Sequence, residues 1–128
     1  HPALGRQVSP KTALADVVPY ITRDGSEIRE LLHPNQHPVR HQSLAEAVVP
    51  PGTATLLHRH ARSEEIYHVT RGNGTMTLGD AVFAIAPGDS VVIAPGTPHR
   101  VENTGDEPLH ILCCCAPAYS HADTELLP

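Results

Sequence analysis

The sequence predicts an all-β fold, a barrel or a sandwich, and two observations support that prediction. Thirteen prolines and nine glycines interrupt the 128-residue chain every few residues, as expected for short strands joined by turns. The apolar stretches between these interruptions have the length of strands, and none approaches the roughly 18 residues of a membrane-spanning helix. Aromatic residues are few, with one Phe, three Tyr and no Trp, so we expect an aliphatic core.

The predicted elements follow in order along the chain. Residues 1–20 look irregular, and residues 26–33 fit either a short helix or an opening strand that ends at Pro34. From residue 42 onward, apolar segments and turns alternate regularly, with a two-residue hairpin turn at Gly79-Asp80. The predicted strands cover residues 44–49, 53–60, 65–70, 75–78, 81–86, 90–94, 99–102 and 109–115.

The charge and the cysteines limit the partners and the location of the protein. The formal net charge is −5, which argues against nucleic acid as a partner because phosphate contacts need a basic surface. The three cysteines are adjacent and form no disulfide framework, since neighbours in a strand point to opposite faces. We expect a reducing, cytoplasmic setting, with Cys113 and Cys115 packed inside and Cys114 on the outer layer. A thiol near a metal is the alternative.

Four residues form a candidate metal site. His58 and His60 are two apart in a predicted strand, so their imidazoles lie on the same face. Glu65 starts the next strand and can place its carboxylate on that face, and His99 starts a later strand directly after a Pro-Gly-Thr-Pro turn. Three imidazoles and one carboxylate suit one divalent transition metal ion, Fe, Mn, Ni, Co, Cu or Zn, rather than Ca or Mg.

The spacing around these residues resembles the first motif of the cupin superfamily. Taking Glu65 rather than Glu64 as the carboxylate keeps the family's interval to the glycine that closes the motif, and it leaves Glu64 facing outward. The matching positions are Gly52, His58, His60, Glu65 and Gly72.

Residues 88–103 resemble the second cupin motif, in which His99 is the metal ligand. The family usually has Pro where this chain has Ala94, a position that shapes a turn and ligates nothing. The stretch from Cys113 to His121 is similar to the tail of small standalone bacterial cupins of the mannose-6-phosphate-isomerase-like type. One domain is expected, divided into an N-terminal arm with the first strand or strands, a barrel core and a C-terminal tail at residues 1–41, 42–115 and 116–128.

The resemblance implies a double-stranded β-helix, or jelly-roll barrel, with the metal at the bottom of an open mouth. Four protein ligands in an octahedral sphere leave two positions for O₂, a substrate or water. We favour a dioxygenase-type oxidoreductase acting on a small molecule, because this ligand set suits O₂ activation by Fe or Mn. A metal-dependent isomerase, epimerase or lyase and a non-catalytic small-molecule-binding protein are the alternatives, since the fold alone does not decide the reaction.

Tyr67 is the candidate catalytic residue beside the metal. It lies two residues after Glu65, so both side chains should project into the same cavity. Its phenol can hydrogen-bond a substrate or act as an acid or base, and the alternative is an aromatic that only lines the core.

Two further expectations concern the surface. Outward-facing apolar side chains such as Leu57 and Ile66 need cover, from an N-terminal strand or from a partner subunit, and we expect a homodimer. His33, His37 and His41 recur every four residues, but the prolines among them disfavour a regular helix. We interpret these histidines as part of a solvated loop near the barrel rim.

Overall fold

The computed structural model describes residues 9–128, and within them two single-turn 3-10 helices, at Leu14–Asp16 and His121–Asp123, are the only helices. No described helix is long and apolar enough to span a bilayer. The strands form two antiparallel sheets whose inner faces share one core, so the all-β prediction is confirmed. The strands are β1 (Tyr20–Ile21), β2 (Glu27–Leu32), β3 (Ser43–Val49), β4 (His58–His60), β5 (Glu64–Arg71), β6 (Gly74–Leu78), β7 (Ala81–Ile85), β8 (Ser90–Ile93), β9 (His99–Glu102), β10 (Leu109–Ala116) and β11 (Thr124–Leu126).

The larger sheet has the strand order β1-β2-β3-β10-β5-β8, and the smaller has the order β11-β4-β9-β6-β7. Strand β10 lies between β3 and β5, where Cys113 pairs with Ala45 on one side and with Tyr67 on the other. Alternate residues of β10 are buried. Cys113 and Cys115 therefore face the space between the sheets and Cys114 lies on the outer face, as the sequence predicted.

One end of the space between the sheets is filled with apolar side chains. Burial of each of these side chains stabilises the folded state by about 1.5–3 kcal/mol. Toward the other end, the inward-facing side chains of two neighbouring strands become polar. On β5 the inner face carries Val69 at the apolar end and Glu65 at the polar end, and on β10 it carries Ile111 and Cys115 in the same order. The barrel therefore has a closed apolar end and a polar end. The most deeply buried apolar residues of the closed end are Val49, Val69, Met76, Leu109 and Ile111.

The glycine that closes the first motif is required by the close approach of two chain segments. Gly72 follows β5 with a φ of +83°, a conformation that favours glycine. A Cβ added there would lie 2.5 Å from the main-chain oxygen of Pro108 and 2.9 Å from the Cα of Leu109. Any side chain at this position would push β10 away from the end of β5.

Two predicted segments differ from the observed strands. Residues 26–33, which fitted helix or strand equally, contain strand β2. The strand predicted over residues 53–60 is regular only in β4, and before it Ala54 makes one isolated bridge with Glu102. The turn at Pro51-Gly52 and the loop after it account for the shorter strand.

The C-terminal segment contributes more structure than its sequence indicated. Strand β10 continues to Ala116, and after a short helical turn β11 adds a strand to the edge of the smaller sheet. It pairs with β4 through Thr124 and His60. The segment after residue 115 is thereby placed beside the candidate metal ligands.

The outer face of the larger sheet carries an apolar pair. Ile66 on β5 pairs with Val92 on β8, and their side chains are 48% and 66% exposed. The sequence-based expectation of a homodimer stays a prediction, and light scattering at micromolar concentration would test it.

Candidate metal centre

Strand β4 carries two of the candidate ligands on its inner face. His58 and His60 are each 4% exposed, whereas Arg59 between them turns outward and its guanidinium donates to Glu125. Strand β4 pairs with β9 through His58 and His99, which brings the third imidazole alongside. One nitrogen from each ring lies within 4.8 Å of the others, so the three buried histidines can hold one metal ion.

Glu65 reaches the same point from the opposite sheet. It lies on the inner face of β5 and is 5% exposed, while Glu64 is exposed. Its Oε1 is 3.2 Å from Nε2 of His60 and 3.6 Å from Nε2 of His99. Two atoms that each lie about 2.1 Å from one ion are at most about 4.2 Å apart. The distances from Glu65 to these two imidazoles therefore fit a shared ion.

Main-chain carbonyls fix the protonated nitrogen of two histidines. Nδ1 of His58 lies 2.8 Å from the oxygen of Leu56, and Nδ1 of His99 lies 2.9 Å from the oxygen of Thr97. A carbonyl oxygen can only accept, so in both rings Nδ1 carries the hydrogen and donates it. Nε2 is then left with a free lone pair that faces the centre, as a metal ligand requires.

The third imidazole is oriented by the C-terminal strand. The Thr124 hydroxyl donates to the main-chain oxygen of Ser120 at 2.9 Å, and it lies 3.0 Å from Nδ1 of His60. Because its own hydrogen is used, the hydroxyl accepts the Nδ1 hydrogen of His60. All three rings therefore turn an unprotonated Nε2 toward the centre.

Two buried polar atoms at this centre lack a hydrogen-bond partner within residues 9–128. They are Nε2 of His99 and Oε1 of Glu65, on side chains that are 0% and 5% exposed. Leaving such atoms unsatisfied costs about 1–3 kcal/mol each. Both are electron-pair donors that face each other at 3.6 Å, and a cation between them would satisfy both. This arrangement fits a bound metal ion.

The ionisation of the candidate ligands agrees with that role. Burial, followed by the neighbouring His99, lowers the pKa of His58, so its ring is neutral at neutral pH. Burial opposes ionisation of Glu65, but in the metal-free centre the adjacent rings of His60 and His99, when they are protonated, outweigh burial and lower the pKa of the carboxyl to about 2. A bound cation in place of those protons would favour the ionised carboxylate in the same way. Neutral imidazoles and an ionised carboxylate are the forms that bind metals.

Cys115 holds the second oxygen of Glu65. Its thiol donates to Oε2 at 3.3 Å, which leaves Oε1 to face the imidazoles. Burial, followed by the charge of Glu65, raises the pKa of the thiols of Cys113 and Cys115. Both thiols therefore stay protonated, and Cys115 acts as a hydrogen-bond donor to the carboxylate.

A cavity extends from the centre toward β1 and β2, and Tyr67 lines it. The Tyr67 ring meets the His99 ring edge to face, with centroids 5.8 Å apart. Burial, followed by the charge of Glu65, raises the pKa of the Tyr67 phenol well above its ordinary value. At neutral pH Tyr67 is a protonated phenol beside the centre.

A carboxylate that sequence reasoning missed lies at the same centre. Oδ2 of Asp24, in the loop between β1 and β2, is 3.7 Å from Nε2 of His58. Its Oδ1 accepts from the main-chain nitrogen and the hydroxyl of Ser26 at 3.0 and 2.6 Å. The segment around Asp24 had no recognisable motif, and only its Asp-Gly turn signal was visible in the sequence.

Tyr119 covers the centre from the C-terminal side, and it too was missed. Its ring lies 5.8 Å from the His60 ring at 80°, and its hydroxyl bonds that of Thr22 at 3.1 Å. Its main-chain oxygen accepts from Nε2 of His33 at 2.8 Å, since Nδ1 of that ring accepts from the nitrogen of Asn35. His33 is 7% exposed, so the interpretation of His33 as a solvated residue was wrong.

Comparison with known proteins identifies the family. A family model described as a cupin domain matches residues 45–115. The chain is 56% identical over 117 residues to the uncharacterized protein MJ1618 of Methanocaldococcus jannaschii, covering 91% of this chain and 94% of that relative.

Solved structures agree with this assignment. The oxalate decarboxylase of Lactobacillus farciminis superposes with a TM-score of 0.75 at 27% identity, over 88% of this chain but only 34% of that chain. A Klebsiella pneumoniae protein with a double-stranded β-helix domain superposes with a TM-score of 0.74 at 20% identity, over 94% and 98% of the two chains. The double-stranded β-helix prediction is confirmed, while the mannose-6-phosphate-isomerase-like subtype stays a prediction. The chain belongs to the cupin family.

Proposed function

We propose that this cupin is a metal-dependent enzyme that transfers protons on a small-molecule substrate, as isomerases, epimerases and lyases do. One observation carries the proposal. The unpaired Oε1 of Glu65 and the imidazoles of His58 and His60 line a cavity whose wall also contains the carboxylate of Asp24 and the protonated phenol of Tyr67. A base and an acid thus share one cavity with the candidate metal ligands.

The residues of the chain have separate roles in such a reaction. His58, His60, Glu65 and His99 would hold a divalent ion, which would supply Lewis acidity that makes a nearby substrate proton easier to remove. Asp24, whose Oδ2 lies 3.7 Å from Nε2 of His58, accepts that proton. Tyr67 donates its phenolic proton to a second substrate atom.

The similarity to the Lactobacillus farciminis oxalate decarboxylase supports this class. A decarboxylase is a lyase, and its structure matches this chain at 27% identity. The chain spans about a third of that enzyme, so we take from it the reaction class and not the substrate.

The ligand set itself favours a second candidate. Three imidazoles and one carboxylate leave positions open for Fe or Mn to react with O₂, which supports the dioxygenase-type oxidoreductase expected from the sequence. Such a reaction needs no protein base, so the position of Asp24 makes it the second choice. The two candidates differ in whether O₂ is consumed.

The first test concerns the metal. Protein purified without a nickel column should carry about one divalent metal ion per chain, and the His58→Ala/His60→Ala/His99→Ala variant should carry none. His68→Ala is the matched control, because His68 faces outward on β5 and bonds Ser90. Stoichiometric metal in the triple variant, measured by mass spectrometry, would place the site elsewhere.

The second test concerns the reaction. Small hydroxy and carbonyl compounds are incubated with the metal-loaded protein in D₂O, while NMR follows deuterium incorporation and an electrode follows O₂. We expect deuterium incorporation or elimination without O₂ uptake. Tyr67→Phe should lower that rate about 10²–10⁴-fold with unchanged metal content. O₂ consumption coupled to substrate loss would favour the dioxygenase, and binding without turnover would favour a non-catalytic protein.

A further inference from the structure

The wall of the inner cavity carries negative charge only. Asp24, Glu30 and Glu65 line it, and no lysine or arginine among residues 9–128 does so. The cavity is a built site and not only an acidic cluster, because Glu65 in its wall points a buried, unpartnered Oε1 at the same centre as the imidazoles of His58 and His60, which also line it.

The nearby cations lie outside this cavity. Arg40 lines an outer pocket and not the inner one, and Tyr20, Glu30 and Tyr119 line both pockets. The guanidinium of Arg23 donates to the main-chain oxygens of His121 and Thr124 at 3.2 and 3.0 Å. Neither arginine is placed to pair with an acidic group of a molecule in the inner cavity.

The charges of the loaded cavity follow from these observations. A divalent ion would balance two of the three carboxylates, which leaves one net negative charge. A dicarboxylate would add two more charges in a partly desolvated space, where like charges repel more strongly than in water. An ammonium group would be attracted by Asp24 and Glu30 but repelled by the ion.

A hydroxyl group can interact with both the metal ion and the carboxylates of the cavity wall. Its oxygen offers a lone pair to a cation, and its hydrogen donates to a carboxylate. The wall offers matching partners: the phenols of Tyr20 and Tyr67, and the hydroxyl of Ser43, which accepts from the nitrogen of Tyr119 and still has a hydrogen to donate. Burial, followed by the charge of Glu30, raises the pKa of Tyr20 to about 12, so this phenol is an uncharged donor.

We propose that the inner cavity takes an uncharged small molecule with several hydroxyl groups and disfavours dicarboxylates, with Asp24 and Glu30 selecting against negative charge. This inference rests on the proposed metal centre. It separates this chain from the substrate of the decarboxylase that it resembles, because oxalate is a dianion.

The test compares a neutral polyol with a dianion. The Mn²⁺-loaded protein is titrated with myo-inositol and with oxalate by calorimetry, and the Mn²⁺ content of each sample is measured afterwards, since oxalate can extract the ion. We expect myo-inositol to bind at least about tenfold more tightly than oxalate. Tighter binding of oxalate with Mn²⁺ retained, or no binding of myo-inositol, would overturn the inference.

A charge-removing variant tests the selecting residues. In Asp24→Asn/Glu30→Gln we expect oxalate affinity to rise at least about tenfold and myo-inositol affinity to fall. The side chains keep their size, and Asn keeps the Oδ1 that accepts from Ser26. The control Glu64→Gln removes one exposed charge on the outer side of β5 and should change either affinity less than about twofold, because solvent and salt screen it. An unchanged oxalate-to-inositol ratio in the double variant would overturn the inference.

Failure of the metal centre gives a different result. If the wild-type protein holds neither Mn²⁺ nor any other divalent metal ion, the proposed function is wrong. The charge selection is then measured on the metal-free protein, in which the Asp24→Asn/Glu30→Gln variant must still bind oxalate more tightly than the wild type does. Equal oxalate binding by the two metal-free proteins would reject the charge selection as well.

Discussion

Two buried polar side chains lie four residues apart, one at the start of β9 and one directly after its end. They differ in how many of their polar atoms have a hydrogen-bond partner. Asn103, at the closed apolar end, is 1% exposed. Its amide nitrogen donates to the main-chain oxygens of Val49 and Glu107 at 2.8 and 2.7 Å, and its Oδ1 accepts from Gly105. His99, at the polar end, is 0% exposed, and its Nε2 has no partner within the described residues.

The difference separates a structural polar group from a functional one. The chain satisfies Asn103 completely because that side chain joins β3 to the loop after β9. The chain holds the His99 ring by Nδ1 alone and leaves Nε2 for something that the polypeptide does not provide. Burial alone would not distinguish the two residues, whereas the count of satisfied atoms does.

Removal of the satisfied group should have the largest effect on stability. Asn103→Ala takes away three hydrogen bonds, one of them the buried bond to the carbonyl of Val49, so we expect a loss of about 3 kcal/mol in the free energy of unfolding. Urea unfolding of the metal-free protein measures it. Asn73→Ala, at an exposed position, is the control and should stay within about 0.5 kcal/mol of wild type. If Asn103→Ala and Asn73→Ala lowered the free energy of unfolding equally, Asn103 would have no special role in stability.

Weakening the support of the polar end should reduce metal affinity instead. Thr124→Val removes the acceptor for Nδ1 of His60, and loss of such an outer partner lowers metal affinity about 10–100-fold. Thr124→Ser keeps the hydroxyl and should restore affinity to near that of wild type. Competition with a chelating dye gives both values. If Val and Ser variants bound metal equally, the hydrogen bond to His60 would have no role in ligand positioning.

The smallest expected effect is the pH dependence of the metal-free protein. The folded-state pKa of His58 is lowered, so below the ordinary value of about 6.5 the unfolded chain binds more protons than the folded one. Stability contributed by neutral His58 is therefore present above that pH and is lost as the pH falls. Urea midpoints at pH 7.5 and 5.5 should show this decrease, and His58→Gln should make it smaller. Asn103 does not titrate, so the closed end adds nothing to the slope.

The sequence was sufficient for the residues placed by strand parity and motif spacing. His58, His60 and Glu65 lie within eight residues, and a period of two decides which face each occupies. The orientation of Tyr67 toward the cavity followed from the same period. These inferences need only local geometry and one neighbouring strand.

The rest of the site could not be predicted because it depends on long-range pairing. Thr124 reaches His60 only through the pairing of β11 with β4, across 64 residues of sequence. Asp24 and Glu30 enter the cavity because β2 joins the edge of β3. Their surroundings in sequence contain no motif, and a carboxylate or hydroxyl in a polar segment is most often a surface residue.

The three consecutive thiols of β10 make the barrel its own probe of local opening. Cys114 faces outward, while Cys113 and Cys115 are 8% and 2% exposed. A thiol reagent should modify Cys114 fastest in the native state, and it should reach the other two through the inner cavity that they line or when β10 separates from its neighbours. Since Cys115 also bonds Glu65, its modification rate reports how accessible the carboxylate side of the centre is, in a protein without a single engineered label.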